Sequence, residues 1–136
     1  MQYQFEFALL LRADEGFWQG IAGGGEDNET PLEAAKRETL EEAGIGSSAK
    51  FLRLDTMESV PVTTLKDNPL WGEDVYVVPQ YCFGVDGSDL EIMISHEHSA
   101  FGWFTYDQTI QLLKFDGNKT ALWELNQRLK GKGPRG

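Results

Sequence analysis

Apolar and polar residues alternate near the start of the chain, which is typical of a strand with one buried face. The apolar positions between residues 2 and 11 are Tyr3, Phe5, Phe7, Leu9 and Leu11. Further apolar runs, bounded by turn-forming residues, predict four more strands. These strands cover residues 17–22, 51–62, 75–85 and 90–95.

A strong set of helix-start signals follows an early run of glycines. Thr30 is a good N-cap, Pro31 fits the first helical position, and Glu33 completes a capping box. The helix should continue to about Ala43, because Gly44 is a favourable C-terminal stop. Two further helices are predicted at residues 105–113 and 119–130, separated by Asp116-Gly117-Asn118.

The order of these elements predicts the fold class. Strands on both sides of one central helix, with more helices at the end, indicate an α/β (α+β) fold in which helices cover a mixed sheet. Neither a repeat nor a linker divides the 136 residues, so we expect one domain over residues 1–130. Residues 131–136 contain Pro134 and three glycines and should form a disordered tail.

Composition limits the class of partner. A formal net charge of −10 disfavours nucleic-acid polymers, whose backbones are also negative. No run approaches the ~18 apolar residues of a membrane span, and the first residues lack a secretory pattern. Cys82 is the only cysteine, which excludes an internal disulfide and suits a reducing cytoplasm. We therefore expect a cytoplasmic monomer or homodimer that acts on a small molecule.

The first predicted helix separates apolar from acidic residues. At about 100° per residue, one face is directed toward the core and the roughly opposite side is acidic. The core-facing residues are Leu32, Ala35, Thr39 and Ala43, and the acidic ones are Glu38, Glu41 and Glu42. Like charges at these spacings destabilise a helix by roughly 0.2–0.5 kcal/mol per pair. A solvated acidic surface is the ordinary explanation, but bound Mg²⁺ would neutralise the repulsion.

Arg37 lies beside the acidic face and can pair with Glu33 and Glu41, each four residues away. A salt bridge that orients a carboxylate is a better interpretation of Arg37 than direct contact with a substrate. The glycines before the helix permit backbone angles that other residues avoid, so this loop could pass close to a metal-bound phosphate.

Read together, these residues resemble a known family motif, the Nudix box G-x5-E-x7-R-E-U-x-E-E-x-G-U, where U is a bulky aliphatic residue. The matching segment is Gly23-x5-Glu29-x7-Arg37-Glu38-Thr39-Leu40-Glu41-Glu42-Ala43-Gly44-Ile45. The departure is Thr39 at the first U position, where we expect slightly weaker packing and no loss of activity. The resemblance implies the Nudix fold, an α/β/α sandwich around a mixed sheet, and hydrolysis of a nucleoside diphosphate linked to another group.

The resemblance also implies roles for individual residues. The implied metal ligands in the box are Glu38, Glu41 and Glu42, which would bind Mg²⁺, with Mn²⁺ as a substitute. Glu38, or a carboxylate outside the box, would help to deprotonate the attacking water. Arg37 would hold the glutamates in place, and Gly23 with Gly24 would shape the substrate loop. Metal-bound water is a better nucleophile, and the cation stabilises charge on the transferring phosphorus.

Three further stretches are similar to the dihydroneopterin triphosphate diphosphatase branch, which also accepts dATP. They are Phe17-Trp18-Gln19, the segment from Glu97 to Trp103, and the late segment Gly117-Asn118-Lys119-Thr120-Ala121. This likeness implies a nucleoside triphosphate-like substrate that is cleaved to a monophosphate and pyrophosphate. It also makes Glu97 a further catalytic or metal-binding carboxylate; an exposed loop charge is the less favoured alternative for this residue.

The aromatic and histidine residues have competing interpretations. Trp18 could stack on a flat base or pterin, or pack in the core. Trp103 and Trp123 are expected in the core. His96 and His98 flank Glu97, and hydrogen bonding within a loop is a better interpretation for them than a transition-metal site.

Three other functions remain open at this level. Pro61 lies near the position of a proline in the ADP-ribose diphosphatases, and sanitation of oxidised nucleotides, as in the MutT branch, is also compatible with the box. A third alternative is a ligand-binding module without catalysis. Such modules usually lose box glutamates, whereas this chain keeps all of them.

Overall fold

A computed structural model describes residues 5–21, 28–46, 48–61, 75–88 and 90–131 of the chain. The elements in chain order are β1 (Phe7–Arg12), β2 (Trp18–Gln19), α1 (Pro31–Ala43), β3 (Phe51–Pro61), β4 (Val77–Val85), β5 (His98–Phe104), α2 (Tyr106–Leu112) and α3 (Asp116–Leu129). None of the described helices is both long enough and apolar enough to cross a membrane.

The strands of the described residues form two sheets. One sheet has the order β2-β1-β5 and the other pairs β3 with β4, and all of these pairs are antiparallel. A single parallel bridge joins Trp18 to Leu113 beyond the edge of the first sheet. The predicted combination of strands and helices is therefore confirmed.

The three-stranded sheet has a helical layer on each face. Because side chains alternate along β1, Phe7 and Leu9 point to one side and Ala8 to the other. Phe7 and Leu9 pack with Leu113 and Leu122, at the end of α2 and within α3. Ala8 instead packs against the cluster of Ala43, Ile45 and Ile92, at the C-terminal end of α1. The core thus consists of two apolar layers separated by the sheet.

Helix α1 begins and ends where its sequence predicts. The Glu33 N–H donates to Thr30 Oγ1 at 3.1 Å, and the Thr30 N–H donates to Glu33 Oε1 at 2.8 Å, which completes the capping box. Gly44 terminates the helix with a φ of +71°, a left-handed conformation that glycine adopts without strain. Buried Thr39 satisfies its hydroxyl within the helix by donating to Ala35 O at 2.6 Å.

Two predicted elements are wrong. Residues 90–95 do not form a strand; Ile92 packs against α1 instead, and the Met93 N–H donates to Ala43 O at 2.8 Å. The strand in this region is β5, which begins only at His98. The predicted break at residues 116–118 is also wrong, because these residues form the first turn of α3. Gly117 lies against the Glu58 carboxylate, which would have to move if residue 117 carried a Cβ atom.

Helix α3 anchors the β3–β4 hairpin through one glutamate. Glu124 accepts hydrogen bonds from the Asp55 N–H at 2.6 Å, the Thr56 N–H at 2.8 Å, the Thr56 hydroxyl at 2.6 Å and Arg128 Nε at 2.8 Å. The donors of Asp55 and Thr56 lie where the β3–β4 register shifts, between Arg53 and Met57. The carboxylate therefore satisfies backbone groups at an irregular part of the strand.

Candidate active site

The centre of the candidate site is Arg37 on α1. Its guanidinium pairs with Glu29 through Nε at 2.9 Å and through Nη2 at 3.1 Å. Its Nη1 lies 3.1 Å from Glu38 Oε1 and 3.3 Å from Glu41 Oε2. The predicted contact with Glu41 is confirmed, whereas Glu33 is engaged in the capping box. One cation is thus shared among three carboxylates.

Glu29 is the partner of Arg37 that reasoning from the helix alone missed. It lies just before the N-cap, eight residues from Arg37, so a search restricted to i±4 neighbours does not find it. The signal was nevertheless present, because Glu29 is a fixed position of the Nudix box. The two-point contact with Glu29 fixes both the position and the plane of the guanidinium.

The three box glutamates on α1 differ in burial. The Glu42 side chain is only 5% exposed and the Glu38 side chain 16%, whereas that of Glu41 is 55% exposed. The predicted placement of all three opposite the core is therefore wrong for Glu42. On a helical wheel Glu42 lies only about 60° from buried Thr39, so it borders the core face. Leu32, assigned to that face, is 39% exposed.

His98 at the start of β5 faces Glu42 from the sheet. Its Nε2 lies 3.9 Å from Glu42 Oε1 and 3.4 Å from Gln19 Nε2. Burial lowers the pKa of His98, and the positive charge of Arg12 lowers it further. His98 is therefore a neutral imidazole at neutral pH, and its contact with Glu42 is not an ion pair between two charged groups.

A β-bulge explains why His98 points toward α1. The pairs Leu10↔Phe101 and Leu11↔Ala100 are in register, but the next pair joins Arg12 to His98 and skips Ser99. Residues opposite each other in a sheet share a face, so the skipped residue rotates His98 to the side of Arg12 and Leu10. The sequence shows the His-Glu-His pattern but not this irregularity in pairing.

Glu97 lies in a turn at the end of β1 and β5, next to a surface pocket. This pocket has a volume of about 360 Å³ and is lined by Arg12, Ala13, Asp14, His96 and Glu97. The Ala13 N–H donates to Glu97 O at 3.0 Å, so the turn is tied to the β1–β2 connection. The Glu97 carboxylate is exposed and stands beside His98 in the chain.

Arg12 is a pocket residue that the motif does not include. It forms a two-point pair with Asp14, with Nε at 2.9 Å and Nη2 at 2.7 Å from the two carboxylate oxygens. This hydrogen bonding raises the pKa of Arg12 and lowers that of Asp14 to about 2. The pocket therefore combines two carboxylates with a permanent cation, opposite His98 in the sheet.

The donors at the site suit a hard divalent cation. Glu38, Glu41, Glu42 and Glu97 all offer carboxylate oxygens, the ligands that Mg²⁺ prefers. Among the residues that the structure describes, no three acidic, histidine or cysteine side chains converge into one metal-binding group. Mg²⁺ commonly uses only one or two carboxylates, with water and substrate phosphates as its other ligands, so a closed protein cage is not required.

The other candidate residues are three tryptophans, one cysteine and two glycines. Trp18 packs in the core cluster of the sheet, edge-to-face with Phe104 at 5.2 Å between ring centroids. Trp103 and Trp123 are 41% and 54% exposed, so their predicted burial is wrong. Burial raises the pKa of Cys82, which keeps the thiol protonated. Gly23 and Gly24 lie outside the described residues.

Comparisons with known proteins show which family the chain belongs to. The NUDIX domain family matches residues 3–123. A crystal structure of a protein assigned as a NUDIX hydrolase from Listeria monocytogenes has a TM-score of 0.84 and 44% sequence identity, covering 93% of this chain and 84% of that chain. The asymmetrical bis(5'-nucleosyl)-tetraphosphatase of Rattus norvegicus is 32% identical over 123 residues, which are 89% of this chain and 79% of the relative.

A more distant structure resembles the chain in fold. The E. coli dihydroneopterin triphosphate pyrophosphohydrolase has a TM-score of 0.70 at 24% identity, covering 86% of this chain and 82% of that chain. The family match and the rat relative, which is 32% identical, define the class of protein. The chain belongs to the NUDIX family, and it is a hydrolase that acts on phosphorus-containing acid anhydrides. The predicted family, fold and enzyme class are confirmed.

Proposed function

We propose that this hydrolase is a Mg²⁺-dependent pyrophosphohydrolase of nucleoside polyphosphates that acts in the cytoplasm, as a monomer or homodimer. The observation that carries the chemistry is the arrangement on α1, where Arg37 is shared by Glu29, Glu38 and Glu41 while Glu42 lies buried beside them. An excess of carboxylates around one guanidinium favours the uptake of a further cation.

Glu38, Glu41 and Glu42 would hold the metal, with Glu97 as a further ligand. When bound, Mg²⁺ stabilises negative charge on the phosphoryl oxygens and makes water a better nucleophile. Arg37 does not need to touch the substrate, because its paired nitrogens orient Glu38 and Glu41. The buried neighbours of Glu42 limit its rotamers, which favours a fixed position for this oxygen donor.

Two carboxylates remain candidates for general base. The Glu38 side chain is only 16% exposed, and one of its oxygens lies 3.1 Å from Arg37 Nη1, so water has little access to this carboxylate. Glu97 is exposed in a pocket, where water reaches it directly. This difference in access favours Glu97 as the group that takes the proton from water, with Glu38 in a ligand role.

We propose a nucleoside triphosphate-like substrate, such as dihydroneopterin triphosphate or dATP, which would yield a monophosphate and pyrophosphate. Support comes from the Phe17-Trp18-Gln19 stretch and from the segment that begins at Glu97. In this proposal Gly23 and Gly24 form the loop that passes near the phosphates. A dinucleoside tetraphosphate is the second candidate, because the rat relative that spans 89% of this chain is named for that substrate.

A substrate panel tests the proposal. The purified chain is incubated with dATP, dihydroneopterin triphosphate, diadenosine tetraphosphate and ADP-ribose, with Mg²⁺ or with excess chelator, and the products are separated by chromatography. We expect Mg²⁺-dependent release of a monophosphate from a triphosphate or tetraphosphate. A preference for ADP-ribose in kcat/KM would reject the proposed substrate class. Binding of nucleotides without turnover would instead support a ligand-binding module.

A further inference from the structure

Phe17, Lys114 and Phe115 form an aromatic and cationic cluster at the edge of the three-stranded sheet, which we call the edge cluster. The Phe17 and Phe115 rings meet edge-to-face, with centroids 5.7 Å apart and planes at 86°. Lys114 Nζ lies 4.9 Å from the Phe17 centroid and 5.4 Å from the Phe115 centroid. The two rings are nearly perpendicular and form an apolar surface, and the positive charge of Lys114 lies next to both rings.

Strand register places the edge cluster on the side of the candidate active site. The pairs Leu10↔Gln19 and Leu11↔Trp18 put Gln19 on the face that carries His98, and Trp18 on the opposite face. Phe17 alternates with Trp18, and the Arg12 N–H donates to Phe17 O at 2.9 Å, so the pairing continues for one residue. Phe17 therefore shares the face of Gln19.

Lys114 and Phe115, the other two residues of the edge cluster, follow α2 in the chain and lie alongside β2. Trp18 bridges to Leu113 in a parallel arrangement, so Lys114 and Phe115 follow directly beside this short strand. Phe115 is 47% exposed although it is a large apolar residue. It occupies the N-cap position of α3 without a side-chain hydrogen bond, so capping does not explain a phenylalanine there.

Among the described aromatic residues, the edge cluster suits a flat ligand ring better than Trp18 does. Trp18 is committed to the core through its contact with Phe104. An exposed phenylalanine face offers a stacking surface that tolerates different heteroaromatic rings. Lys114 adds a positive charge to a chain whose net charge is −10, and it stands next to that surface. A polyphosphate attached to the ring is attracted to this cation.

We propose that the edge cluster is the subsite for the heteroaromatic ring of the substrate, with Phe115 as the stacking surface, Phe17 as the lateral wall and Lys114 as a contact for the phosphate chain. This inference rests on the proposed function, because it assigns residues to the nucleoside end of the same substrate. It makes the edge cluster the determinant of preference for ring-bearing over ring-free polyphosphates.

The test compares two ligands that differ in the ring. A non-hydrolysable dATP analogue and inorganic tripolyphosphate are titrated by calorimetry, with Mg²⁺, into the full chain and three variants. Phe115→Ala should weaken the dATP analogue about tenfold and leave tripolyphosphate unchanged, since stacking supplies only the ring contact. Lys114→Gln should weaken both ligands. Trp123→Ala, which removes an exposed aromatic ring from α3, should change neither.

The other outcomes of these titrations would reject either the ring subsite or the proposed hydrolysis. Equal loss of both ligands in Phe115→Ala, or no loss beyond that of Trp123→Ala, would overturn the ring subsite. Failure of the unmodified chain to bind the dATP analogue would overturn it as well. Ring-dependent binding through Phe115 without turnover of any panel substrate would retain the subsite and reject the proposed hydrolysis. Melting temperatures of the variants show whether all of them remain folded.

Discussion

Two groups of acidic side chains in this molecule differ in the balance between carboxylates and the groups that bind them. At the β3–α3 contact, one carboxylate, Glu124, accepts four hydrogen bonds from three residues. On α1, one guanidinium, Arg37, is shared by three carboxylates. In the first group, four hydrogen bonds stabilise the negative charge of the single Glu124 carboxylate. In the second group negative charge is in excess, which is unfavourable for folding and suitable for binding a cation.

Glu124 and Glu42 differ in the groups that surround their carboxylates. Partial burial raises the pKa of Glu124, but its hydrogen bonds outweigh burial and lower the pKa to about 2. All of its contacts stabilise the native state. The Glu42 side chain is 5% exposed and that of Glu124 is 13% exposed, and Glu42 faces His98, which is neutral. Glu42 is one of the carboxylates that the proposed function assigns to the metal, whereas Glu124 lies at the contact between β3 and α3.

Replacing Glu42 should have the largest effect. Glu42→Gln keeps the size and removes the charge, so we expect turnover to fall by about 100-fold or more as a metal ligand is lost. The melting temperature without metal should be unchanged or slightly raised, because repulsion from Glu38 is relieved. Steady-state kinetics and thermal unfolding measure the two quantities. Glu6→Gln is the matched control, because Glu6 is exposed just before β1. If Glu42→Gln lost stability but kept its turnover, Glu42 would be a structural carboxylate and not a functional one.

Replacing Glu124 should have the reverse effect. Glu124→Gln turns an amide donor toward the N–H groups of Asp55 or Thr56, and we expect a loss of about 2 kcal/mol in the free energy of unfolding. Turnover well below the melting temperature should remain close to that of the unmodified chain. Asp55→Asn is the control, because the Asp55 side chain is 80% exposed and its pair with Arg128 contributes little. Denaturant unfolding of both variants is the measurement, and equal stabilities would refute the structural role.

Acid should remove the contribution of Glu124 in a defined range. Its pKa is about 2 in the folded chain and near 4.5 when the group is unperturbed. The stabilisation is therefore complete above about pH 4.5 and declines as the pH falls toward about 2. The difference in melting temperature between the unmodified chain and Glu124→Gln should accordingly be constant near neutral pH and shrink below about pH 4.5. A difference that grows on acidification would have the wrong sign for this mechanism.

Glu97 should show a smaller effect, confined to the chemical step. It lies outside α1 in an exposed turn, so Glu97→Gln should leave stability unchanged. If Glu97 accepts the proton from water, kcat falls by about tenfold while KM changes little, as expected for a group acting in the transition state. Glu15→Gln, in the nearby exposed turn, is the control. Unchanged kinetics in both variants would assign Glu97 to the surface.

Local signals predicted the part of the site that lies on α1. Thr30, Pro31, Glu33 and Gly44 determine where the helix begins and ends through contacts within a few residues, so the sequence predicted these bounds correctly. The contact between Arg37 and Glu41 has the same local origin. The burial of Glu42 was missed because it depends on which element packs beside α1, and no pattern within the helix specifies that neighbour.

The β5 region shows more clearly which features the sequence pattern could not predict. Residues 90–95 have the pattern of a strand, but Ile92 and Ile94 pack into the cluster at the end of α1, and the pairing with β1 starts at His98. This pairing and its bulge at Ser99 depend on β1, which is about 90 residues away in the sequence. The orientation of His98 follows from that long-range register, whereas the face on which Trp18 lies is set by the local pairing of β1 with β2.

The most direct test of the central claim is the dependence of turnover on free Mg²⁺, measured in the unmodified chain, Glu42→Gln and Glu124→Gln. The account predicts that excess chelator abolishes turnover of the unmodified chain and that Mg²⁺ restores it. Glu124→Gln should follow the same curve at a temperature where it is folded, whereas Glu42→Gln should need more Mg²⁺ and reach a lower maximum. Full turnover in excess chelator, or identical Mg²⁺ curves for Glu42→Gln and the unmodified chain, would contradict the assignment of the α1 glutamates to a metal.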